Sequence, residues 1–215
     1  MRKRLEGVLG LISFAAGSVD VMSFAKLGGV LASAMTGNVA LLGLYIGRGS
    51  AAAALSSMVA LIAFILGAGA GAYAARQRAQ HDALRLLLVA ELILLAAGAS
   101  FWLAAGRPSG GMSGNGVIVL LAMAMGLQII AGRHLNLAGI PTVVFTSTLT
   151  NIVTGVTESL TGKTGRLPRD MWRQCAALAL YFGGALAAGI CVYTGTRALM
   201  FLPVAAVGAA LVLLV

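Results

Sequence analysis

The sequence predicts an all-α integral membrane protein: six transmembrane helices plus two broken, re-entrant segments, arranged as two inverted repeats. Three observations carry this expectation. Hydrophobic residues make up 60% of the chain and charged residues 10%, with a mean hydropathy of +0.97, whereas soluble domains carry roughly 25% charged residues. Apolar stretches of spanning length occur at about 8–25, 51–75, 86–105, 115–132, 174–195 and 198–215, and a spanning helix needs roughly 20 apolar residues. Finally, residues 17–48 and 126–157 read as versions of each other. Each passes from an apolar helix end through a Gly-containing break and a Thr/Ser/Gly/Asn cluster into a second apolar helix.

The first span follows Met1-Arg2-Lys3-Arg4 and so imitates a signal peptide. Asp20 stands where a small-residue cleavage site would be expected, and the repeat begins inside the same stretch, so the segment reads as a retained span. The first motif, about 26–48, follows. Gly28-Gly29 should break the helix, leaving Val30–Met35 free to run extended before Thr36-Gly37-Asn38. The spans at 51–75 and 86–105 complete the first repeat, about 8–105. The second repeat, about 115–215, has its break at Gly139-Ile140-Pro141, then Thr142–Phe145, Thr146-Ser147-Thr148 and Thr150-Asn151. The longest polar connections, 76–85 and 161–173, are too short to enclose a core. A single membrane domain with no soluble module is expected.

Positive-inside bias chooses among topologies. If neither motif crosses and the N-terminus is cytoplasmic, eleven basic residues lie inside and four outside (Lys26, Arg48, Arg107 and Arg197). If both motifs cross, the split falls to nine against six. The first case gives inverted repeats, an arrangement shared with several secondary transporters. The alternative is two parallel repeats of four crossings each. The wider split makes the chain multi-pass with its N-terminus in the cytoplasm.

Irregular backbone in lipid must be buried in protein or line a wet cavity. Two such segments meeting near the midplane would make a small polar site. Thr36 and Thr148 or Thr150 are candidate helix N-caps, with Asn38 and Asn151 close by, and helix starts favour anions and polar oxygens. The expected substrate-binding set is Asp20, Thr36, Gly37, Asn38, Gln128, Thr146, Thr148, Thr150 and Asn151. Asp20 and Glu91 are intramembrane carboxyls and candidates for proton or ion coupling. Asp20 alternatively pairs with a base such as Lys26. Glu91 alternatively bonds a motif backbone or reaches toward Arg85. Gln128 occupies roughly the place of Asp20 in the second copy. Arg133-His134 read as an interfacial anchor, with an anion contact as the sharper reading. Gly67-Ala68-Gly69-Ala70-Gly71 suits close helix contact, and the glycine faces leave a homo-oligomer open.

The net charge of +9 would suggest nucleic acid in a soluble protein. Here the basic residues border spans, so lipid headgroups account for them, and no nucleic-acid partner is expected. Cys175 and Cys191 lie on one predicted helix about 24 Å apart, beyond disulfide reach. Two histidines, no clustered metal ligands and no nucleophile–base pair near a span argue against an enzyme, a cofactor or a metal.

The pattern GSVDVMSFAKLGGVLASAMTGNVALLG, followed by AMGLQ, GRHL and TVVFTSTLTNIV, resembles the YoaK-type family of bacterial inner-membrane proteins over nearly the whole chain. Gly17, Asp20, Gly28, Thr36, Gly37 and Asn38 match its first motif. Gln128, Arg133, Thr146, Thr148, Leu149, Thr150 and Asn151 match its second. Ser147 stands where a Gly is common and Ile129 where an Asn is common, which bears on the polarity of the second half-site. The family is largely uncharacterised and grouped loosely with small-molecule transporters. The resemblance therefore implies a membrane location and no particular substrate. The expected function is a secondary transporter or exporter of a small polar or anionic solute. A passive channel and a non-catalytic assembly protein are the alternatives.

Overall fold

The computed structural model describes residues 2–135, 145–161 and 171–214. Their order is α1 (Arg2–Lys26), α2 (Met35–Gly47), α3 (Ala51–Ala75), α4 (Gln80–Ala104), α5 (Gly111–His134), α6 (Phe145–Leu160), α7 (Met171–Thr194), a 3-10 turn (Arg197–Met200) and α8 (Phe201–Leu214). No strand occurs among the described residues.

Among the described residues five helices, α1, α3, α4, α5 and α7, are long and apolar enough to cross a membrane. The stretch expected as a sixth span is divided between the 3-10 turn and the shorter α8. Pro203 offers a reason, since it has no N–H to return to the carbonyl one turn back. An α-helical ladder therefore cannot run unbroken through residue 199. α1 and α5 are the most enclosed of the long helices, and α7 and α3 the least.

The long helices pack through glycines. α1 lies along α7 in the same sense: Glu6 meets Arg173 near one end, and Gly17 and Gly184 meet further along. A Cβ on Gly17 would collide with the backbone of Tyr181 and Ala185, and one on Gly184 with the backbone of Phe14. α3 lies along α5 in the same way. Ser56 bonds Asn115, Gly126 abuts the backbone of Phe64 and Ala68, and Gly67 abuts that of Met123. Small residues at these points let the backbones touch, which is how helices associate where lipid removes the hydrophobic drive.

α4 runs against α5, with Gly98 beside Leu121 and Gln80 Nε2 donating to the His134 carbonyl at 2.7 Å. α8 runs against α1, with Leu213 packed on Gly7. The bundle therefore has two ends. At the first, Arg4, His81 and Leu214 share a cavity. At the second, Lys26, Trp102, Gly195 and Leu199 share another, and Gly28, Ser50 and Gly110 share a third. The chain leaves α1 and enters α3 at this second end.

Candidate functional site

The first break forms as its glycines require. Gly28 and Gly29 have φ of 91° and 75°, left-handed values that glycine adopts without a Cβ penalty. Val30–Met35, expected to run extended, are bends and irregular backbone up to Ala34, and helix from Met35.

Three side chains hold this irregular segment. Asp20 is 2% exposed and lies about 9 Å along α1 from Lys26. Its Oδ1 accepts the Ser33 N–H at 2.7 Å, and its Oδ2 accepts the Ser33 hydroxyl at 2.5 Å and the Tyr181 hydroxyl at 2.8 Å. One carboxyl thus joins α1, the broken segment and α7. Asn38, fully buried, reaches back from the first turn of α2. Its Oδ1 accepts the Leu31 N–H at 2.9 Å and its Nδ2 donates to the Leu31 carbonyl. The Tyr45 hydroxyl donates to the Gly29 carbonyl at 2.9 Å. Each peptide group so satisfied avoids a penalty of several kcal/mol in a lipid environment.

Thr36 does not cap α2. The cap residue is Ala34, without a side-chain cap bond, and Thr36 is exposed within the first turn. The Asn38 amide, from inside the helix, meets the broken segment instead of a capping hydroxyl. Gly37 packs against the end of the Leu31 side chain, which a Cβ there would have to displace. Lys26 does not pair with Asp20, whose bonds run to Ser33 and Tyr181.

The second motif is only partly within view. Gly139-Ile140-Pro141, Thr142 and the side chains of Thr146 and Ser147 lie outside the described residues. Thr148 and Thr150, expected as N-caps, lie inside α6, which has already begun by Phe145. Thr148 is buried, while Thr150 and Asn151 are exposed. Among the described residues α2 packs chiefly on α3 and α6 on α7, and no broad contact joins the two motif helices.

Gln128 is 1% exposed and donates through Nε2 to the Ile12 carbonyl at 2.8 Å, fastening α5 to α1. Its Oε1 has no hydrogen-bond partner among the described residues. Ile12 is about 12 Å along α1 from Asp20, so Gln128 and Asp20 belong to different places. The glycine contacts also correct the matching of the two copies. Asp20 is three residues after Gly17, and the residue three after Gly126 is Ile129, not Gln128. Glu91 is fully buried in α4, and neither carboxyl oxygen has a partner among the described residues. Among the described residues it therefore neither bonds the first motif's backbone nor reaches out to Arg85; the break of the second motif lies outside them.

The sequence reading missed Ser33, Tyr45, Tyr181 and the Leu31 peptide. Tyr181 carried one usable signal, a hydroxyl inside an apolar helix three residues before Gly184. Nothing in the sequence tied it to Asp20, 161 positions away.

Fold and site together define a multi-pass α-helical membrane protein with a clamped helix break. The chain belongs to the family described as Protein of unknown function (DUF1275), matched over residues 8–214. It is 30% identical over 187 residues to the UPF0700 transmembrane protein YoaK of Bacillus subtilis (strain 168), an alignment covering 83% of this chain and 80% of that protein. No solved structure matches the chain.

Proposed function

We propose that the protein is a secondary transporter or exporter of a small polar or anionic solute, working through two inverted repeats. The observation that carries this reading is the clamp at Asp20. A buried carboxyl from the first repeat holds its own broken segment and, through Tyr181, a helix of the second repeat. A solute that competes for Ser33 or Asn38 would loosen the segment and the contact between repeats together. That is the coupling alternating access needs.

The repeat reading is supported by helix direction. The packing contacts run α1, α4 and α7 one way and α3, α5 and α8 the other, so the matched pairs α1/α5, α3/α7 and α4/α8 are each reversed. The break and α2 start and finish at the second end, as a re-entrant segment would. The basic side chains favour a cytoplasmic N-terminus in a bacterial inner membrane. Lys3, Arg4, Arg76, Arg78, Arg133 and Arg173 belong to the first end, against Lys26, Arg48 and Arg107 at the second. On this reading the protein is a carrier rather than an enzyme and needs no cofactor. Glu91, buried and without a hydrogen-bond partner among the described residues, is the residue to carry a coupling proton.

The test is a melting screen of the purified protein against amino acids, small carboxylates, amines and nucleobases, since a native-state ligand raises the melting temperature. Stabilising compounds are then assayed for counterflow in liposomes. Saturable flux, accelerated by solute on the opposite side and lost in Asp20→Asn and Asn38→Ala, is expected. Flux without that acceleration would make the protein a channel. Flux indifferent to both substitutions would remove these residues from the site.

A further inference from the structure

A second cavity, of about 260 Å³, lies at the second end of the bundle between the last turns of α1 and α7 and the chain leaving α4. Its lining includes Lys26, Trp102, Arg107, Ser109 and Thr196. Lys26 and Arg107 bring two cations, and the described residues give neither side chain a hydrogen bond or ion pair. Arg107 instead stacks over the Trp102 ring, 5.8 Å from its centroid. Trp102 is only 4% exposed, yet its indole N–H has no hydrogen-bond partner among the described residues. Indole nitrogen can only donate, and so can ammonium and guanidinium. The Ser109 hydroxyl can turn to donate as well, whereas the Thr196 hydroxyl is bonded to that of Thr194.

The obvious use for these cations would be to cap the helices that end here, but the backbone does that itself. α1, α4 and α7 each close on a left-handed glycine: Gly28, Gly106 and Gly195, with φ of 91°, 72° and 68°. Returning N–H groups take carbonyls of the last turns, including Arg107 N–H to Trp102 O at 2.9 Å and Thr196 N–H to Cys191 O at 3.1 Å. Arg107 has a φ of 62°, the one non-glycine residue with positive φ among the described residues. A side chain there is strained by about 1–2 kcal/mol, and the turn is what lays the guanidinium over Trp102.

We propose that this cavity binds an oxyanion of the phosphate type, either the headgroup of an anionic lipid or free phosphate. Lys26 and Arg107 supply the charge, and the Trp102 N–H and the Ser109 hydroxyl supply further donors. Charge-assisted bonds from guanidinium to phosphate are the strong ones, and a planar fork suits two oxygens at once. The volume equals roughly eight to nine water molecules, enough for a phosphate group with its nearest waters. The site goes beyond the transport reading and does not rest on it, since binding is measurable without flux.

Trp102 and Trp172 are the two tryptophans of the chain, and Trp172 is exposed, away from the cavity. Trp172→Phe therefore leaves Trp102 as the sole reporter. The protein is titrated in uncharged detergent with inorganic phosphate at constant ionic strength, and separately in uncharged-lipid nanodiscs with increasing phosphatidylglycerol. A saturable change in Trp102 emission is expected in at least one series. It should weaken by about tenfold or more in Arg107→Gln and in Lys26→Gln, and persist in Arg48→Gln. Response to phosphate alone identifies a free oxyanion, and response to phosphatidylglycerol alone a lipid headgroup. Both identities support the site. No saturable response in either series, or a response equal in Arg107→Gln, Lys26→Gln and the parent, overturns it. If a cavity variant fails to fold, the Trp172→Phe titrations alone still decide whether the site binds.

Discussion

The crossing of α1 with α7 and that of α3 with α5 follow one plan and carry different chemistry. Gly17 and Gly184 meet in the first, and Gly126 and Gly67 in the second, against carbonyls of Phe14, Tyr181, Met123 and Phe64. Eleven residues before Gly17 and before Gly184 are Glu6 and Arg173, an ion pair at 2.7 Å. The same steps back from Gly126 and Gly67 reach Asn115 and Ser56, a neutral hydrogen bond at 2.8 Å. Three residues after Gly17 is Asp20 and three before Gly184 is Tyr181, bonded at 2.8 Å. The matching positions in the second crossing are Ile129 and Phe64. The glycine seam is thus what the architecture requires of both crossings. The buried carboxyl–phenol pair belongs to one alone, where it clamps a broken segment.

The largest effect should come from the shared part. Gly17→Val, Gly184→Val, Gly126→Val and Gly67→Val should each abolish a folded, monodisperse protein, because the Cβ collides with backbone that cannot yield without separating the helices. Gly69→Ala, where nothing lies within 4 Å, should be neutral. Size-exclusion chromatography reads both, and a well-behaved Gly126→Val would show that the seams are not equivalent.

Next comes the unshared pair. Asp20→Ala strands the Ser33 N–H, its hydroxyl and the Tyr181 hydroxyl, and should destabilise by about 3–5 kcal/mol in a melting or denaturant assay. Tyr181→Phe removes one partner of the three and should cost about 1–2 kcal/mol. The mirror change, Phe64→Tyr, puts a hydroxyl beside Ile129 and should gain no stability. A gain would mean the second crossing offers an acceptor after all.

Glu91→Leu should act in the opposite direction. Removing a buried carboxyl that has no partner among the described residues should stabilise by about 1–3 kcal/mol. Under the coupling role proposed above, Glu91→Leu should also leave flux independent of a pH gradient. A loss of stability would reveal a partner.

The smallest effect belongs to the ends. The Glu6–Arg173 side chains are 35% and 13% exposed, so solvent screens the pair and Glu6→Gln should cost about 0–1 kcal/mol, less in high salt.

Much of the fold was legible. Composition and the length of apolar runs predicted the helices, because lipid rewards an apolar surface wherever it lies along the chain. Gly28-Gly29 announced the first break, since residue type alone decides who tolerates positive φ. The functional details were less so. Thr36 reads as a cap by type, but whether a hydroxyl caps depends on where the ladder begins. Ser33 and Tyr181 read as ordinary, because a hydroxyl becomes important only when a buried acceptor stands opposite.

The sequence by itself thus determined a helical membrane protein with a glycine-led break and two carboxyls in its apolar helices. Those are properties of each segment's own residues in their solvent. Tertiary structure decided that Asp20 would be bonded three times and Glu91 not at all among the described residues. It also decided that two glycine pairs 167 and 59 positions apart in the chain (Gly17 with Gly184, Gly67 with Gly126) would form matching seams. Helix crossings bring together residues remote in sequence, and hydrogen bonding depends on that distance and direction, which no local pattern contains.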